Sequence, residues 1–272
     1  MNAKTTVSTS NRGRKATNED FVKTLNYDNF TLNRFTVLIA CDGVGGEPGG
    51  QTCARAVGKA VLYRVRQYLL KRGVRKYALT LEDAKTLAQN LQVLNIESPL
   101  LNIESPQEGS ATTLSLLLIV RRSDREEEKR GGRNVIGIWA GDSRSYLLSR
   151  SGNSYQLTDD HHDSEGRVTA FYRGDGRVYG DLGVVQQRVD GLCAACTTTD
   201  GVHDYCTEDE LYHFLLYSID QQLQKSDRLS EELTHFLQEN LSDNYSLALT
   251  YRPLSSQNIE STASQLLPSK YA

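Results

Sequence analysis

The chain has 272 residues, of which 31 are Lys or Arg and 34 are Asp or Glu, giving a formal charge of −3. That length suits one large domain or two small ones and can bury about 70 to 75% of the unfolded surface, so covalent stapling is unnecessary. Apolar residues make up 38% and aromatics 8%, too many for disorder, and the near-even charge excludes non-specific nucleic-acid binding, which needs a basic face to displace counterions. The longest aliphatic run, Leu114 to Val120, falls far short of the ~20 residues of a membrane helix. The N-terminus carries no apolar core of a secretory signal, and five irregularly spaced cysteines read as reduced thiols of a cytoplasmic protein.

Taken in chain order, residues 34–41 form a short β-branched and aliphatic run stopped at Asp42-Gly43, a strand ended by a turn. Ala54, Val57, Gly58, Val61, Leu62, Val65 and Leu69 then recur at spacings of three and four, which predicts a long helix with one apolar stripe. A second stripe, Leu81, Ala84, Leu87, Ala88, Leu91 and Leu94, follows Thr80, an N-cap with Asp83 three places on. Residues 94–99, Leu-Asn-Ile-Glu-Ser-Pro, repeat at 101–106; two copies with a proline each read as a duplicated loop, not a coiled coil.

Residues 110–122 predict a strand, and the charged insert 123–132 a solvated hairpin loop. Strands follow over 134–140, 144–150 and 192–199. Two amphipathic helices carry Leu211, Phe214, Leu215 and Ile219, then Leu229, Leu233, Phe236 and Leu237; 245–251 closes as a strand. Strands in runs and helices in pairs suit two packed sheets with helices on the outer faces, not a βαβ parallel sheet. One domain over 1–252 is expected, with a polar, flexible tail over 253–272.

Asp42, Asp142, Asp200 and Asp243 each stand at the end of an apolar strand beside Gly, Ser or Asn, and Asp20 in Asn-Glu-Asp is a fifth. Singly, each is ordinary turn chemistry. Gathered at one rim of a sandwich, such carboxylates would repel and raise one another's pKa, and only cations would make the site sensible. Hard oxygen donors select Mg²⁺ or Mn²⁺ over zinc.

The ordered set Arg14-Lys-Ala-Thr-Asn-Glu-Asp20, Asp42-Gly-Val-Gly-Gly46, Gly109-Ser-Ala-Thr-Thr113, Gly141-Asp-Ser-Arg144, Leu157-Thr-Asp-Asp-His161, Thr199-Asp-Gly-Val202 and Asp243-Asn244 resembles the metal-dependent type 2C serine/threonine protein phosphatases over about residues 7 to 251. The resemblance implies an α+β fold, a four-layer α-β-β-α sandwich of two antiparallel sheets flanked by helix pairs. It implies that Asp42 bridges two metal ions, the Gly43 carbonyl ligates one, Asp200 and Asp243 complete the first ion's ligands, and Asp20 beside Glu19 holds the second ion's water shell. Asp142 with Asp200 would serve a third, weaker site. The implied activity is hydrolysis of phosphoserine or phosphothreonine in proteins by a water that two Mn²⁺ or Mg²⁺ ions activate. The implied setting is a bacterial-type, monomeric, free-standing domain opposing a serine/threonine kinase. The rival expectation is a pseudophosphatase that binds phosphoproteins without turnover.

Lys15 stands where many members of that family have an arginine, so phosphate binding falls to Lys15 or, by a local register shift, to Arg14. Val44 replaces a histidine proposed as general acid in eukaryotic members, leaving that role unassigned. Glu47 replaces another histidine and suits a helix N-terminus. Segment 163–183 corresponds to a mobile flap over the active site, and its glycines fit a moving lid or an ordinary loop; Asp175 and Asp181 read as solvated acids. Cys193 and Cys196, facing opposite sides of a strand, read as buried structural thiols rather than a redox or zinc pair. The Gly43–Gly49 loop lacks the spacing of a nucleotide-binding loop. His161-His162 reads as a structural turn, Trp139 as core, and His203, His213 and His235 as surface or interface residues.

Overall fold

Period-two alternation in the aliphatic strands decides the layering. The computed structural model describes residues 5–28, 34–44, 49–71, 79–96, 102, 104–121, 132–149, 153–220, 226–237 and 242–251. In β3 (Arg34–Cys41), Val37 and Ile39 enter one core while Leu38 enters another; in β5 (Leu114–Arg121), Leu116 and Leu118 part from Leu117 and Ile119 in the same way. A strand buried on both faces lies in an interior layer.

One antiparallel sheet has the order β11 (Gly183–Val189), β6 (Arg133–Ala140), β5, β3 and β2 (Phe21–Asp28). The other runs β1 (Thr5–Asn11), β13 (Tyr245–Tyr251), β12 (Leu192–Thr198), β7 (Arg144–Ser149) and β8 (Ser154–Gln156). Leu38, Leu117, Ile119, Leu147, Ala195 and Ala248 fill the space between them. Helices α1 (Gly50–Lys71) and α2 (Leu81–Leu91) cover the first sheet. A single turn, α3 (Asp200–His203), is followed by α4 (Glu208–Asp220) and α5 (Ser226–Phe236) over the second. The α-β-β-α sandwich implied by the motifs is therefore the observed architecture.

Local chemistry explains the helices. All seven stripe residues of α1 are buried, and at Gly58 an added Cβ would lie 2.2 Å from the Phe21 ring, so only glycine lets that strand residue seat against the helix. Thr80 caps α2 through the expected reciprocal pair: the Asp83 amide donates to Thr80 Oγ1 at 3.2 Å, and the Thr80 amide donates to Asp83 Oδ2 at 2.7 Å. Leu81 departs from the predicted stripe. At 46% exposed it stands in the first turn, outside the buried face.

Several expectations are corrected. Residues 110–122 do not form one strand. Thr113 interrupts them, leaving β4 (Ala111–Thr112) in a separate small sheet ordered β10 (Val178–Tyr179), β9 (Phe171–Arg173), β4. Cys193 and Cys196 both enter the core between the second sheet and its helices, because a register irregularity between Leu192 and Ala194 shifts the alternation by one. Both are buried free thiols. His203 is half-buried, and desolvation drives its imidazole pKa down to about 3, with the Arg144 charge acting in the same direction.

In the 163–183 segment, Tyr172 is fully buried and donates from its hydroxyl to the Leu91 carbonyl at 2.8 Å. The turn after β9 is pinned at its tip: the Leu94 amide donates to the Gly176 carbonyl at 2.9 Å and the Gly174 amide to the Ser110 carbonyl at 2.8 Å. Gly176 has φ +80°, and its Cβ would stand 2.4 Å from the Leu94 carbonyl oxygen, so it serves close packing rather than hinge freedom. Of the duplicated hexapeptide, Leu94 and Ile96 of the first copy are core, while Asn102 and Glu104 of the second are exposed. The predicted loop at 123–132, except Gly132, the position of Glu47 and the expected tail lie outside the described residues.

Candidate metal centre

The five singled-out aspartates arrive at one rim of the sandwich by five routes: Asp20 enters β2, Asp42 leaves β3, Asp142 turns from β6 to β7, Asp200 opens α3 after β12, and Asp243 precedes β13. Each is fixed by the motif around it. The Thr112 hydroxyl donates to the Asp42 carbonyl at 2.7 Å, the Thr113 amide donates to the same oxygen at 2.9 Å, and Thr113 Oγ1 accepts from the Asp42 amide at 3.0 Å. The Gly-Ser-Ala-Thr-Thr sequence thus clamps the end of β3. Gly43 touches the first residue of α1, where an added Cβ would fall 2.5 Å from the Gly50 carbonyl carbon.

Asn244 joins the other routes. Its Oδ1 accepts from the Glu19 amide at 2.8 Å, and its Nδ2 donates to the carbonyls of Arg12 and Thr17 at 2.9 and 3.0 Å. Gly201 passes so close that a Cβ would lie 1.8 Å from the Asn244 carbonyl oxygen, which requires glycine after Asp200. The Thr199 hydroxyl donates to Asp20 Oδ2 at 2.9 Å. At the β6–β7 turn, Trp139 stacks on His161 with ring centroids 5.9 Å apart. His161 Nδ1 accepts from the Gly141 amide at 3.2 Å, so the ring is neutral there, and burial lowers its pKa. Arg144 grips Asp160 with its Nε at 2.9 Å and Nη2 at 2.6 Å. The Leu-Thr-Asp-Asp-His motif is the scaffold of the Asp142 turn.

Burial and mutual repulsion act together on Asp20, Asp42 and Asp200. Burial pushes the Asp42 carboxyl well above the ordinary carboxylate value, and the charges of Asp20, Asp200 and Asp142 push it further. Asp200 is pushed up to about 7 by burial and then by Asp142, Asp243 and Asp20. Asp20 is only 6% exposed; burial raises its pKa, and the Asp243 charge acts in the same direction. Its Oδ1 is sealed from solvent without a donor. An orphaned buried carboxylate oxygen amid mutually repelling acids is a deficit of positive charge. The donor set, all oxygen and all strand-end, fits hard divalent cations. Among the described residues, no three Asp, Glu, His or Cys side chains already close around one ion position.

Lys15 brings a cation to these acids. Its ammonium contacts Asp243 and stands 3.8 Å from Glu19. Burial works against its charge, yet Asp243, Asp42 and Glu19 together raise its pKa. Arg14 is exposed; Lys15 is the residue turned into the acids. Asp175 and Asp181 are exposed and take no place in the cluster. His162, read from the sequence as a turn residue, places Nε2 3.3 Å from Asp142 Oδ2, and the sequence reading missed the support given by Thr199 and Asn244.

No family model matches the chain. A Mycoplasma pneumoniae protein named "Putative protein phosphatase" is 30% identical over 140 residues, 48% of this chain and 47% of that protein. The chain thus aligns with about half the length of that relative. Among solved structures, a bacterial serine phosphatase superimposes with TM-score 0.58 at 18% identity, covering 94% of this chain and all of that one. The serine/threonine phosphatase Stp1 of Staphylococcus aureus gives 0.57 at 19%, covering 92% and 95%. The catalytic domain of the serine/threonine protein phosphatase PstP, in complex with two manganese ions, gives 0.57 at 19%, covering 91% and 97%. The rim of clamped aspartates therefore stands on the fold shared by these bacterial serine/threonine phosphatases.

Proposed function

We propose that the chain is a divalent-metal-dependent phosphatase acting on phosphoserine and phosphothreonine in proteins. The observation that carries the reading is the convergence of Asp20, Asp42, Asp142, Asp200 and Asp243 at one rim, where burial and neighbouring carboxylates raise the pKa values of Asp20, Asp42 and Asp200. Asp42, the Gly43 carbonyl, Asp200 and Asp243 would hold one ion, Asp42 and Asp20 with Glu19 a second, and Asp142 with Asp200 a weaker third. Mn²⁺ and Mg²⁺ both suit these oxygens. When bound, such a pair of ions lowers the pKa of a water and offsets charge on a phosphoryl group.

The chain's own residues do the rest. The Thr112 and Thr113 clamp holds the Asp42 backbone, and Thr199 orients Asp20. His162 steadies the Asp142 carboxylate. Lys15, already drawn into the acids, offers a point charge to the phosphate and fixes its position without the planar fork of arginine. Phosphorylated proteins made by a serine/threonine kinase are the expected substrates of a monomeric cytoplasmic enzyme. Nothing in the site favours the binding-only alternative, since every expected acid is present at the rim.

The test is phosphate release from a phosphoserine peptide with and without Mn²⁺, then after chelation. Release should require the ion, and Asp200→Ala should lower it by roughly 100-fold or more, as expected when a group essential to the metal site is lost. Wild-type protein that binds the peptide but releases nothing under any divalent cation would overturn turnover in favour of phosphoprotein binding.

A further inference from the structure

Helix α1 carries Arg55, Lys59, Arg64, Arg66 and Lys71 and no acidic residue, in a chain whose net charge is −3. Arg55, Lys59, Tyr63, Arg66 and Leu70 are exposed and recur at intervals of four, four, three and four. That spacing draws one continuous stripe about 22 Å long on the solvent side. Surface helices usually offset their cations with acids one turn away. Here Arg55 and Lys59 are like charges one turn apart, and among the described residues none of the five cations forms an ion pair. The helix is held by its buried stripe, and the described residues leave the outer face's charge unanswered. Two large apolar side chains, Tyr63 at 37% and Leu70 at 53% exposure, lie among the cations.

The stripe begins beside the candidate metal centre. Gly50, the first residue of α1, packs directly on Gly43, and the axis leads from there toward Lys71. We propose that the outer face of α1 is a docking track for an acid-rich, extended segment of the phosphoprotein substrate flanking its phosphorylated residue. This rests on the phosphatase reading and adds a substrate class to it. An extended chain advancing about 3.3 Å per residue would cover the stripe with roughly seven residues. Acidic side chains meet Arg55, Lys59 and Arg66, while Tyr63 and Leu70 take apolar groups between them. A stripe one helix face wide, leading away from the reacting end, matches a linear polyanion rather than the plane of a bilayer.

The test uses the full chain and a triple variant, Arg55→Gln, Lys59→Gln and Arg66→Gln, with two phosphoserine peptides that differ only in a Glu-rich or Gln-rich flank. Wild type should show a KM about tenfold lower for the Glu-rich peptide, with the gap shrinking in salt as exposed charges are screened. The triple variant should lose that preference while kcat and hydrolysis of p-nitrophenyl phosphate stay unchanged. Equal KM values for both peptides in wild type, or a preference that survives the triple variant, would overturn the track. Fluorescence anisotropy of the same peptides decides the matter even if the protein turns over nothing: selective binding of the Glu-rich peptide, lost in the triple variant, supports the track. Failure to bind it, or α1-dependent binding of phosphatidylserine vesicles or an oligonucleotide in its place, overturns it. Absence of hydrolysis with intact selective binding refutes the phosphatase reading alone.

Discussion

The inward face of β5 passes through two chemical worlds. At its far end Ile119 and Leu117 pack among Leu38, Leu147 and Ala248, dry and complementary. One step toward the rim, Ser115 meets Ser145 across the sheets at 2.8 Å; the next step pairs Thr113 with Ser143 at 2.7 Å. Beyond these lie Asp42 and Asp142. The same pair of sheets thus grades from hydrocarbon to hydroxyl to carboxylate over a few residues. Stability is concentrated in the middle, where burial is unopposed. At the rim, like charges are held together at a free-energy cost that the middle of the sandwich offsets.

Truncation in the apolar half should have the largest effect on stability. Leu117 is fully buried, so Leu117→Ala should destabilise by about 3 kcal/mol in denaturant unfolding. The loss should be the same with and without Mn²⁺, because Leu117 touches no acid of the cluster.

The acidic half should respond in the opposite sense. In metal-free protein, Asp42→Asn removes one of the repelling carboxylates and should stabilise the fold by about 1 to 2 kcal/mol at pH 8, while abolishing Mn²⁺-dependent hydrolysis. The same physics sets a pH dependence. Asp200 titrates near 7 in the fold against 3.8 ordinarily, and Asp42 and Asp20 are also raised. Between these values the folded state binds more protons than the unfolded one, so stability falls as pH rises from about 4 through 7. Thermal unfolding of metal-free protein should therefore occur several degrees lower at pH 8 than at pH 5, and Mn²⁺ should erase most of the difference. A flat profile without metal would mean that the carboxylates are not held together.

The smallest effect belongs to the hydroxyl step between the halves. Thr113→Val keeps the shape but removes the acceptor of the Asp42 amide and the partner of Ser143. A loss of about 1 to 2 kcal/mol is expected, together with weaker activation at limiting Mn²⁺ as Asp42 loosens.

What could be seen in the residues follows the same division. The runs over 34–41 and 245–251 are long, apolar and central in their sheets, and their bounds match β3 and β13. Strands β1, β2 and β11, reading TTVSTSN, FVKTLNYD and GVVQQRV, went unrecognised. All three are sheet edges, where a strand is covered on fewer sides and can stay polar. The strand-end aspartates were legible only as an ordered set, because each alone is ordinary turn chemistry. Their supports were not. Thr199 reaches Asp20 across 179 residues of sequence and Asn244 reaches Glu19 across 225, distances over which no local pattern operates. The cysteine pair misled because a single bulge in β12 cancels strict alternation.

Strand β4 is only two residues long, yet Thr112 bridges to Gly43 on one side and pairs with Tyr172 on the other. That makes it a seam through which the 171–179 hairpin and the backbone after Asp42 share one hydrogen-bonded ribbon. Sequence drift in the hairpin is accordingly transmitted to the backbone that carries Gly43, so the hairpin is less at liberty to diverge than its exposed residues suggest.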